Sequence, residues 1–444
     1  MTPQLATPAL RTLRQVWAVG RITFAEAVRR KVFVVLGVSA AVILILSPML
    51  PSDGTAPGRI RLVITVCSMT TALVSMLVML LVGASSLAEE IESKRIYWPA
   101  TKPVSRSAYL AGKYLGVLLL GGALILAMGV VTVVFVRLAA WQMTGREAED
   151  LGESVLTARV EELPERIGGR EVAELVNLDA AAGADEVREM EKAELVRPGL
   201  ALPYVFSAGP DLRRERKVRF RLRAFSGINA AFALRLKTRD PRTGDWKGGE
   251  DAIWVTAGAA TDFTVPTGMI SPEGLIEVRV ENTGPEPVRL RRSDGLVLAA
   301  PAGPFEWNLV KWLALLFCRA ALLGAVVVGG SAFLSFPVTT LLGGAVWLGG
   351  YLSGFALAVV SSGRHLISAA AESSSTDRAF SSLVALVCRM LPDFSHYSAS
   401  RALADSQAIS VVMIASAMLW LVVVRGGVFV VVGLVGYRRR ELGA

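Results

Sequence analysis

The residues best suited to binding chemistry are charged, and many of them cluster between positions 89 and 113. This segment lies between two apolar runs, and its charged residues are Glu89, Glu90, Glu92, Lys94, Arg95, Lys102, Arg106 and Lys113. Mixed charges suit a reversible, salt-sensitive protein interface better than a permanent apolar one. The alternative interpretation is a solvated loop whose basic residues only set membrane orientation.

Two further arginines, Arg319 and Arg425, lie inside apolar runs. An arginine within the membrane usually faces a cavity or a partner. Arg319 is predicted near the outer end of its run, so snorkelling to the membrane surface explains it equally well. Arg425 precedes Gly426 and Gly427, where a helix can kink, and is the stronger functional candidate.

Signatures of catalysis are absent from the sequence. It contains no GxxxxGK[ST], HExxH or GxSxG motif. Its three cysteines and two histidines (Cys67, Cys318, Cys388, His365 and His396) have no metal-ligand spacing, so we predict neither a metal site nor another cofactor in this chain. We therefore predict a non-catalytic protein, and any transport work would draw its energy from a partner.

The composition indicates a membrane protein. Of the 444 residues, 53% are hydrophobic and only 19% are charged, with a mean hydropathy of +0.50. These values exclude a disordered chain, a disulfide scaffold and a secreted soluble enzyme. Residues 141–306 hold 23 Lys and Arg against 28 Asp and Glu, whereas the rest of the chain carries a net charge of +14. The basic charge thus indicates lipid contact rather than nucleic-acid binding.

Six segments are long and apolar enough to be membrane spans. They are residues 32–50, 62–88, 114–138, 309–336, 338–361 and 408–435, and none of them contains Asp or Glu. Ion-coupled carriers usually place acidic residues within the membrane, so a self-contained secondary transporter is disfavoured. The first run is preceded by basic residues, as in a signal peptide. Its length, its distance from the N-terminus and the lack of a cleavage site favour an uncleaved span.

Lys and Arg near the spans predict the orientation. Fourteen fall on the side of both termini and six on the opposite side, which predicts cytoplasmic termini, including the tail 438–444, in the cytoplasmic (inner) membrane. Residues 139–308 are then extracytoplasmic. Residues 1–31 predict an amphipathic helix in the cytoplasmic interface, or alternatively a soluble helix on another protein. Residues 379–392 predict an outer interface or re-entrant helix.

The long insert has two patterns. Residues 145–200 are rich in Glu and Ala and predict helices, whereas residues 213–300 alternate with a period of two and predict an antiparallel β-sandwich. The predicted fold class is mainly α, a polytopic membrane protein with six transmembrane helices and an inserted extracytoplasmic α+β domain. Trp246 and Trp254 suit stacking on a sugar ring, or are ordinary core or loop residues. The run Arg213–Arg223 suits an anionic glycan, or is the wet face of a strand.

Glycines mark two candidate helix-packing faces. Gly112 and Gly116 open the third span, and Gly343, Gly350 and Gly354 share one face of the fifth. Small residues let helices approach closely. Packing within one chain and packing between two chains both fit this pattern.

Several short motifs, in order along the chain, carry a family resemblance. These are the acidic stretch Glu90–Ser93, then Lys102–Arg106 and Gly112-Lys113, then Leu391–Phe394 before the last span and Arg438–Leu442 at the end. With the six spans, they resemble the permease subunit of a type-2 ABC transporter, of the multi-copper-enzyme-maturation permease group. The resemblance covers about residues 10–138 and 309–442 and leaves out the large insert. Copper is not supported, because ligand clusters are missing.

The resemblance implies a function and partners. A cytoplasmic helix between spans two and three, within residues 89–113, would contact a separate ABC ATPase subunit. A second permease chain, identical or related, and the lipid bilayer complete the expected partners. The alternative is a membrane-anchored extracytoplasmic binding or sensing protein whose β-sandwich holds a glycan or a protein. An integral-membrane enzyme is disfavoured, because no span contains a recognisable nucleophile–base pair.

Overall fold

A computed structural model of the chain describes residues 8–29, 38–39, 42, 56–93, 104–141, 156–167, 195–209, 212, 217–225, 231–248, 252–258, 260–292, 295–369 and 391–439, with only the backbone described for 354–369. The chain divides into two compact units. The helical unit comprises Met1–Leu156 and Pro304–Ala444, and the sheet unit comprises Thr157–Gly303.

The helical unit contains seven helices in its described part. They are α1 (Pro8–Arg29), α2 (Ala56–Glu92), α3 (Arg106–Trp141), α4 (Phe305–Ser331), α5 (Phe336–Ala369), α6 (Ser400–Ala404) and α7 (Val411–Arg439). Among the described residues, four helices are long and apolar enough to cross a membrane, namely α2 from Gly58, α3, α4 and α7. This confirms a membrane protein with several apolar helices.

The predicted number of six spans is met only in part. Predicted spans two, three, four and six correspond to these four helices, and predicted span five falls within α5. Predicted span one, at 32–50, and the interface helix at 379–392 lie almost wholly outside the described residues. At 1.5 Å per residue, α2 with its 37 residues is about 55 Å long, well beyond the roughly 30 Å of a bilayer core.

Helix α4 is the central helix of its unit. It contacts α2, α3, α5 and α7, and most of its side chains are buried. Small residues allow the closest approach: Gly329 lies against Phe429 and Gly433 of α7, where an added Cβ would come within 2.6 Å of the Phe429 carbonyl oxygen. Two glycines facing each other remove the side-chain layer that normally separates helix axes.

Helix α7 changes its winding along its length. It is α-helical over Val411–Ala417, π-helical over Met418–Gly426 and α-helical again over Gly427–Arg439. The sequence suggested a kink beside Arg425, and the irregular segment ends at that point. A π-helical segment within an α-helix is a frequent feature of functional sites.

Helix α1 packs along α3 through the predicted glycine face. An added Cβ on Gly112 would lie 2.6 Å from the Val19 Cβ atom, and one on Gly116 would lie 2.7 Å from the Gly20 carbonyl oxygen. The first glycine pair therefore packs within the chain. Leu10, Leu13 and Trp17 of α1 remain exposed, as expected for a helix that lies in a membrane interface.

We expect Gly116→Ala to loosen α1 from α3, at a cost of about 1–3 kcal/mol. The new methyl group would meet the Thr23 Cβ atom at 2.6 Å and backbone at 2.7 Å, so neither neighbour can simply rotate away. Gly122→Ala, on the same helix, is the matched control, because its nearest neighbour is a Phe317 ring atom at 3.4 Å. Limited trypsin digestion at the arginines of α1 measures the difference, and equal protection in both variants would contradict the packing.

The sheet unit is built from twelve described strands, counting β12 (Leu296–Pro304), which ends on the first residue of the helical unit. The others are β1 (Thr157–Glu162), β2 (Arg166–Ile167), β3 (Leu195–Val196), β4 (Ala201–Ser207), β5 (Lys217–Arg223), β6 (Ala231–Arg239), β7 (Trp246–Gly248), β8 (Ile253–Thr256), β9 (Ala260–Pro266), β10 (Leu275–Asn282) and β11 (Val288–Arg289). One sheet has the order β1-β12-β5-β9, a second has β2-β4-β10-β6-β7 with β8 also on β6, and β11 pairs with β3.

The two larger sheets enclose one apolar core. Alternate residues of β5, β6 and β10 are buried in it, as the period-two pattern predicted. Phe206 of one sheet meets Phe220 of the other edge to face, with ring centroids 5.2 Å apart. Strand β10 pairs antiparallel with both β4 and β6, in register Val278↔Tyr204 and Val280↔Leu236.

The helical interpretation of residues 145–200 is wrong where the structure describes that stretch. Thr157–Glu162, Arg166–Ile167 and Leu195–Val196 are strands, and residues 142–155 and 168–194 lie outside the described residues. The sheets therefore begin near residue 157 rather than 213. Pairing with β12 and β4 supplies backbone partners to segments whose Glu- and Ala-rich composition favours helix, and tertiary pairing outweighs that weak local preference.

Candidate functional site

The charged residues between spans two and three lie at the ends of two long helices. Helix α2 continues to Glu92, and α3 begins at Arg106, so Glu89, Glu90, Glu92, Arg106 and Lys113 are helical. Lys94, Arg95 and Lys102 lie outside the described residues. The predicted charged loop is thus shorter than residues 89–113, because both helices extend beyond the apolar runs that revealed them.

Glu90 and Lys113 form a buried ion pair between α2 and α3. The Lys113 Nζ atom donates to Glu90 Oε1 at 2.5 Å, and the Tyr109 hydroxyl donates to Glu90 Oε2 at 2.5 Å. Only 4% of the Lys113 side chain is exposed, and its ammonium lies 5.6 Å from the Tyr109 ring centre. Both carboxylate oxygens have a donor, which a buried charge requires.

Arg106 joins the end of α7 to the same region. Its Nη1 atom donates to the Arg438 carbonyl oxygen at 3.1 Å, and its guanidinium carbon lies 6.0 Å from the Tyr437 ring centre. A cation at the C-terminal end of a helix also interacts favourably with the carbonyl groups there. The end of α2, the start of α3 and the end of α7 therefore meet around one polar cluster.

The opposite end of the helical unit leads into the sheet unit. Arg137, near the end of α3, pairs with Glu306 at the start of α4, which directly follows β12. Asn308 is buried there, donating to the Gln407 carbonyl oxygen and accepting from the Ile409 amide, each at 2.8 Å. In chain order, the charged segment joins the end of α2 to the start of α3, and the sheet unit follows the end of α3 and precedes α4.

Arg319 lies in the interior of the helical unit. It is near the middle of the 27-residue helix α4, about 20 Å from either end, and none of its surface is exposed. Snorkelling is therefore wrong, because no arginine side chain spans that distance. Its Nη1 atom donates to the Tyr351 hydroxyl at 2.8 Å, while Nε and Nη2 have no hydrogen-bond partner in the described part of the chain.

Arg425 contacts the turn that precedes the last span. Its Nη1 atom donates to the Leu391 carbonyl oxygen at 3.1 Å. The Phe394 ring fills the space beside Gly350, where an added Cβ would lie 2.5 Å from it, and the Phe394 amide donates to the Gly350 carbonyl oxygen at 3.0 Å. Gly350 therefore packs against this turn, whereas Gly343 packs against Val327 and Leu80. The surroundings of Gly354 lie outside the described residues.

Asp393 fixes the shape of the same turn. Burial raises the pKa of its carboxyl, but hydrogen bonds from the Ser395 hydroxyl and the His396 amide outweigh burial and lower the pKa below its usual value. The carboxylate therefore stays charged, and it accepts hydrogen bonds from residues of its own turn.

The residues of the sheet unit that were predicted to bind a ligand lie in different surroundings from one another. Trp246 on β7 packs against Arg279, whose guanidinium carbon lies 5.9 Å from the Trp246 ring centre, whereas Trp254 on β8 is largely exposed. Arg219 and Arg221 of the basic run are buried, so the wet-face interpretation is wrong for them. Arg221 pairs with Asp262 and Glu161. Residues 213–216 lie outside the described residues.

The tyrosines of these clusters were not among the residues predicted from the sequence. Tyr109 precedes Lys113 by one helical turn, so the spacing alone indicated that both face the same side of α3. Tyr351 and Tyr437 carry no comparable local signal, because their partners lie on other helices. Within the described residues, no group of three His, Cys, Asp or Glu side chains is arranged as metal ligands.

Comparisons with known proteins yield no match: no protein-family model matches this chain, and no curated protein is significantly similar to it.

Proposed function

We propose that this chain is the membrane-spanning permease subunit of an ABC transporter, which moves a substrate across the cytoplasmic membrane with energy from a separate ATPase subunit. In this proposal the chain has six spans, cytoplasmic termini and an extracytoplasmic sheet unit, and it pairs with a second permease chain. The family resemblance of the sequence motivates the proposal.

The observation that supports it best is the buried pair of Glu90 and Lys113. An external ATPase can do work on the spans only if the segment it contacts is firmly joined to them. The ion pair, with the Tyr109 hydroxyl, fastens the two helix ends from which the charged segment 94–105 emerges. A push on that segment would therefore reach α2 and α3 together, instead of being lost in a flexible loop.

The placement of the polar ends supports the same orientation. The charged segment connects the end of α2 to the start of α3, and the chain enters the sheet unit only after the end of α3. One orientation in the membrane places the charged segment in the cytoplasm, where it can contact an ATPase, and places the sheet unit outside the cytoplasm. The Lys and Arg asymmetry predicts the same orientation.

The test is recovery of the ATPase with the purified chain. We expect Glu89→Lys together with Glu92→Lys to weaken a detergent pull-down of the ATPase about a hundredfold at low salt, because like charges would face each other across the interface. Glu90 is left unchanged, since its reversal would break the buried pair. Repeating the pull-down at high salt should shrink the difference.

Arg439→Ala is the matched control, because it changes an exposed charge at the end of α7. Binding equal to that of the unaltered chain in the double reversal would overturn the docking assignment. If the unaltered chain never recovers an ATPase, the alternative gains support.

The alternative is a membrane-anchored binding or sensing protein. A cleft of about 340 Å³ in the sheet unit favours it, lined in part by Leu236, Thr238, Lys247, Ile253, Phe263 and Met269. Its mixed apolar and polar lining suits a small ligand or a peptide side chain. Binding of a ligand by this cleft in a chain that recovers no ATPase would favour this alternative.

A further inference from the structure

Arg319 carries an uncompensated positive charge in an apolar interior. Three of its five N–H groups belong to Nε and Nη2, and neither atom has an acceptor among the described residues. An isolated charge away from water is among the costliest groups that a fold can hold, and most are paired. Arg319 is therefore expected to serve a purpose that the described part of the chain does not complete.

No described carboxylate pairs with Arg319. On the same helix, Glu306 is about 20 Å away and pairs with Arg137. In the neighbouring turn, Asp393 accepts from Ser395 and His396 instead. The tyrosine hydroxyl that Arg319 does contact is neutral and satisfies only one of its nitrogen atoms.

The two unpartnered nitrogens form one side of the guanidinium plane. Nε and Nη2 point their hydrogens in the same direction, which is the geometry that accepts two oxygens of one carboxylate or phosphate group. Arg221 in the sheet unit shows this use: its Nε and Nη2 atoms donate to the two oxygens of Asp262, at 2.8 and 3.4 Å. On Arg319 the equivalent edge is buried and has no acceptor within the described residues.

The surroundings of Arg319 on its own helix are apolar, and its tyrosine partner lies beside the turn that precedes the last span. Its neighbours along α4 include the buried Leu316, Leu322 and Leu323. The Tyr351 ring lies 6.0 Å, centre to centre, from the Phe394 ring of the turn. A ligand group that binds the guanidinium must therefore be compatible with apolar surroundings.

We propose that the Nε–Nη2 edge of Arg319 binds an oxyanion group, a carboxylate, phosphate or sulfate, within the helical unit. The binding site follows from the contacts of Arg319 alone; naming its ligand the transported substrate rests on the proposed function. The oxyanion can belong to a free ion or to the head of an amphiphile, and the apolar surroundings favour the amphiphile.

The experiment uses the full chain carrying Cys388→Ser, purified in an uncharged maltoside detergent. Cys67 and Cys318 are buried free thiols of the helical unit, so a thiol-reactive dye reports its unfolding on heating. We expect decyl phosphate to raise the melting temperature in a saturable manner and decyl glucoside, which is uncharged, to have no effect. Inorganic phosphate is the second arm, and an equal effect from it would assign the site to a free oxyanion.

Arg319→Gln should weaken the response to decyl phosphate at least about tenfold, because it removes the charge and the bidentate edge. Arg137→Gln loses the same charge at an exposed pair of the same unit and should respond as the unaltered chain does. Arg319→Lys keeps the positive charge but lacks the Nε–Nη2 edge, so we expect it to lose part of the response to decyl phosphate. This variant still tests the site if the glutamine variant does not fold.

No stabilisation of the unaltered chain by either phosphate, or equal stabilisation of Arg319→Gln, would overturn the site. No ATPase takes part in this measurement, so its result is independent of the pull-down that tests the proposed function.

Discussion

Lys113→Met is expected to destabilise the helical unit by about 3–5 kcal/mol, the usual cost of removing one partner from a buried ion pair. Glu90, whose side chain is 19% exposed, would keep a negative charge that has lost its cation and retains the Tyr109 hydroxyl as a donor. The melting temperature, read from the exposure of Cys67 and Cys318 to a thiol-reactive dye, measures the loss.

The double variant Lys113→Met with Glu90→Gln is the control for this result. It removes both charges, so the stranded carboxylate that makes the single variant costly is absent. We expect it to recover most of the lost stability, since a neutral amide can still accept from Tyr109. If Lys113→Met has the same melting temperature as the unaltered chain, the ion pair does not hold α2 and α3 together.

Arg319→Met is expected to have the opposite effect and to stabilise the helical unit by about 1–4 kcal/mol, the range found when buried charged groups are replaced by apolar ones of similar volume. The substitution removes a charge that has no acidic partner among the described residues, while the methionine keeps an unbranched stem to fill the same space. The same dye-based melting experiment measures the gain.

Arg137→Met is the control here, because its ion pair is exposed and should contribute less than about 1 kcal/mol. If Arg319→Met instead destabilises the unit as strongly as Lys113→Met, the guanidinium has a counter-charge in the folded chain. The oxyanion site proposed for its free edge would then be occupied by the chain itself.

Lys113 and Arg319 are two buried cations with different roles. Lys113 holds two helices together, whereas we propose that Arg319 binds a ligand. Both side chains are buried cations of long apolar helices. Lys113 is matched by a carboxylate that is itself hydrogen-bonded, whereas Arg319 has one neutral contact. A stabilising Arg319→Met variant would mean that the folded chain carries a free-energy cost at this position, as expected where a binding site has been retained.

The pairing of Glu90 also changes how the acidic residues before span three are understood. The sequence presented Glu89, Glu90 and Glu92 as one docking set, yet Glu90 contacts Lys113 and Tyr109. If all three charges were reversed, weaker binding of the ATPase could come either from a lost contact with the ATPase or from misfolding of the chain. Docking by this region stays a prediction. Reversing the exposed Glu92 and its neighbour Glu89 tests it while leaving the pair of Glu90 and Lys113 in place.

The sequence alone determined the properties that depend on local pattern. The lengths of its apolar runs identified the four described helices able to cross a membrane, and its period-two alternation identified the residues of β5, β6 and β10 that enter the apolar core. The glycine pair Gly112 and Gly116 was recognised as a packing face for the same reason. Such signals repeat along one segment, so they require no knowledge of what lies beside it.

Only the tertiary structure decided which segments meet. It paired Glu90 with Lys113, placed Arg319 in the middle of α4, and made strands of residues 157–162 although their composition favours helix. Each outcome depends on atoms supplied by a distant part of the chain: a cation on another helix, a tyrosine on α5, or the backbone of β12. The free energy of a buried charge or an edge strand is set by those partners, and no spacing within a single segment encodes them.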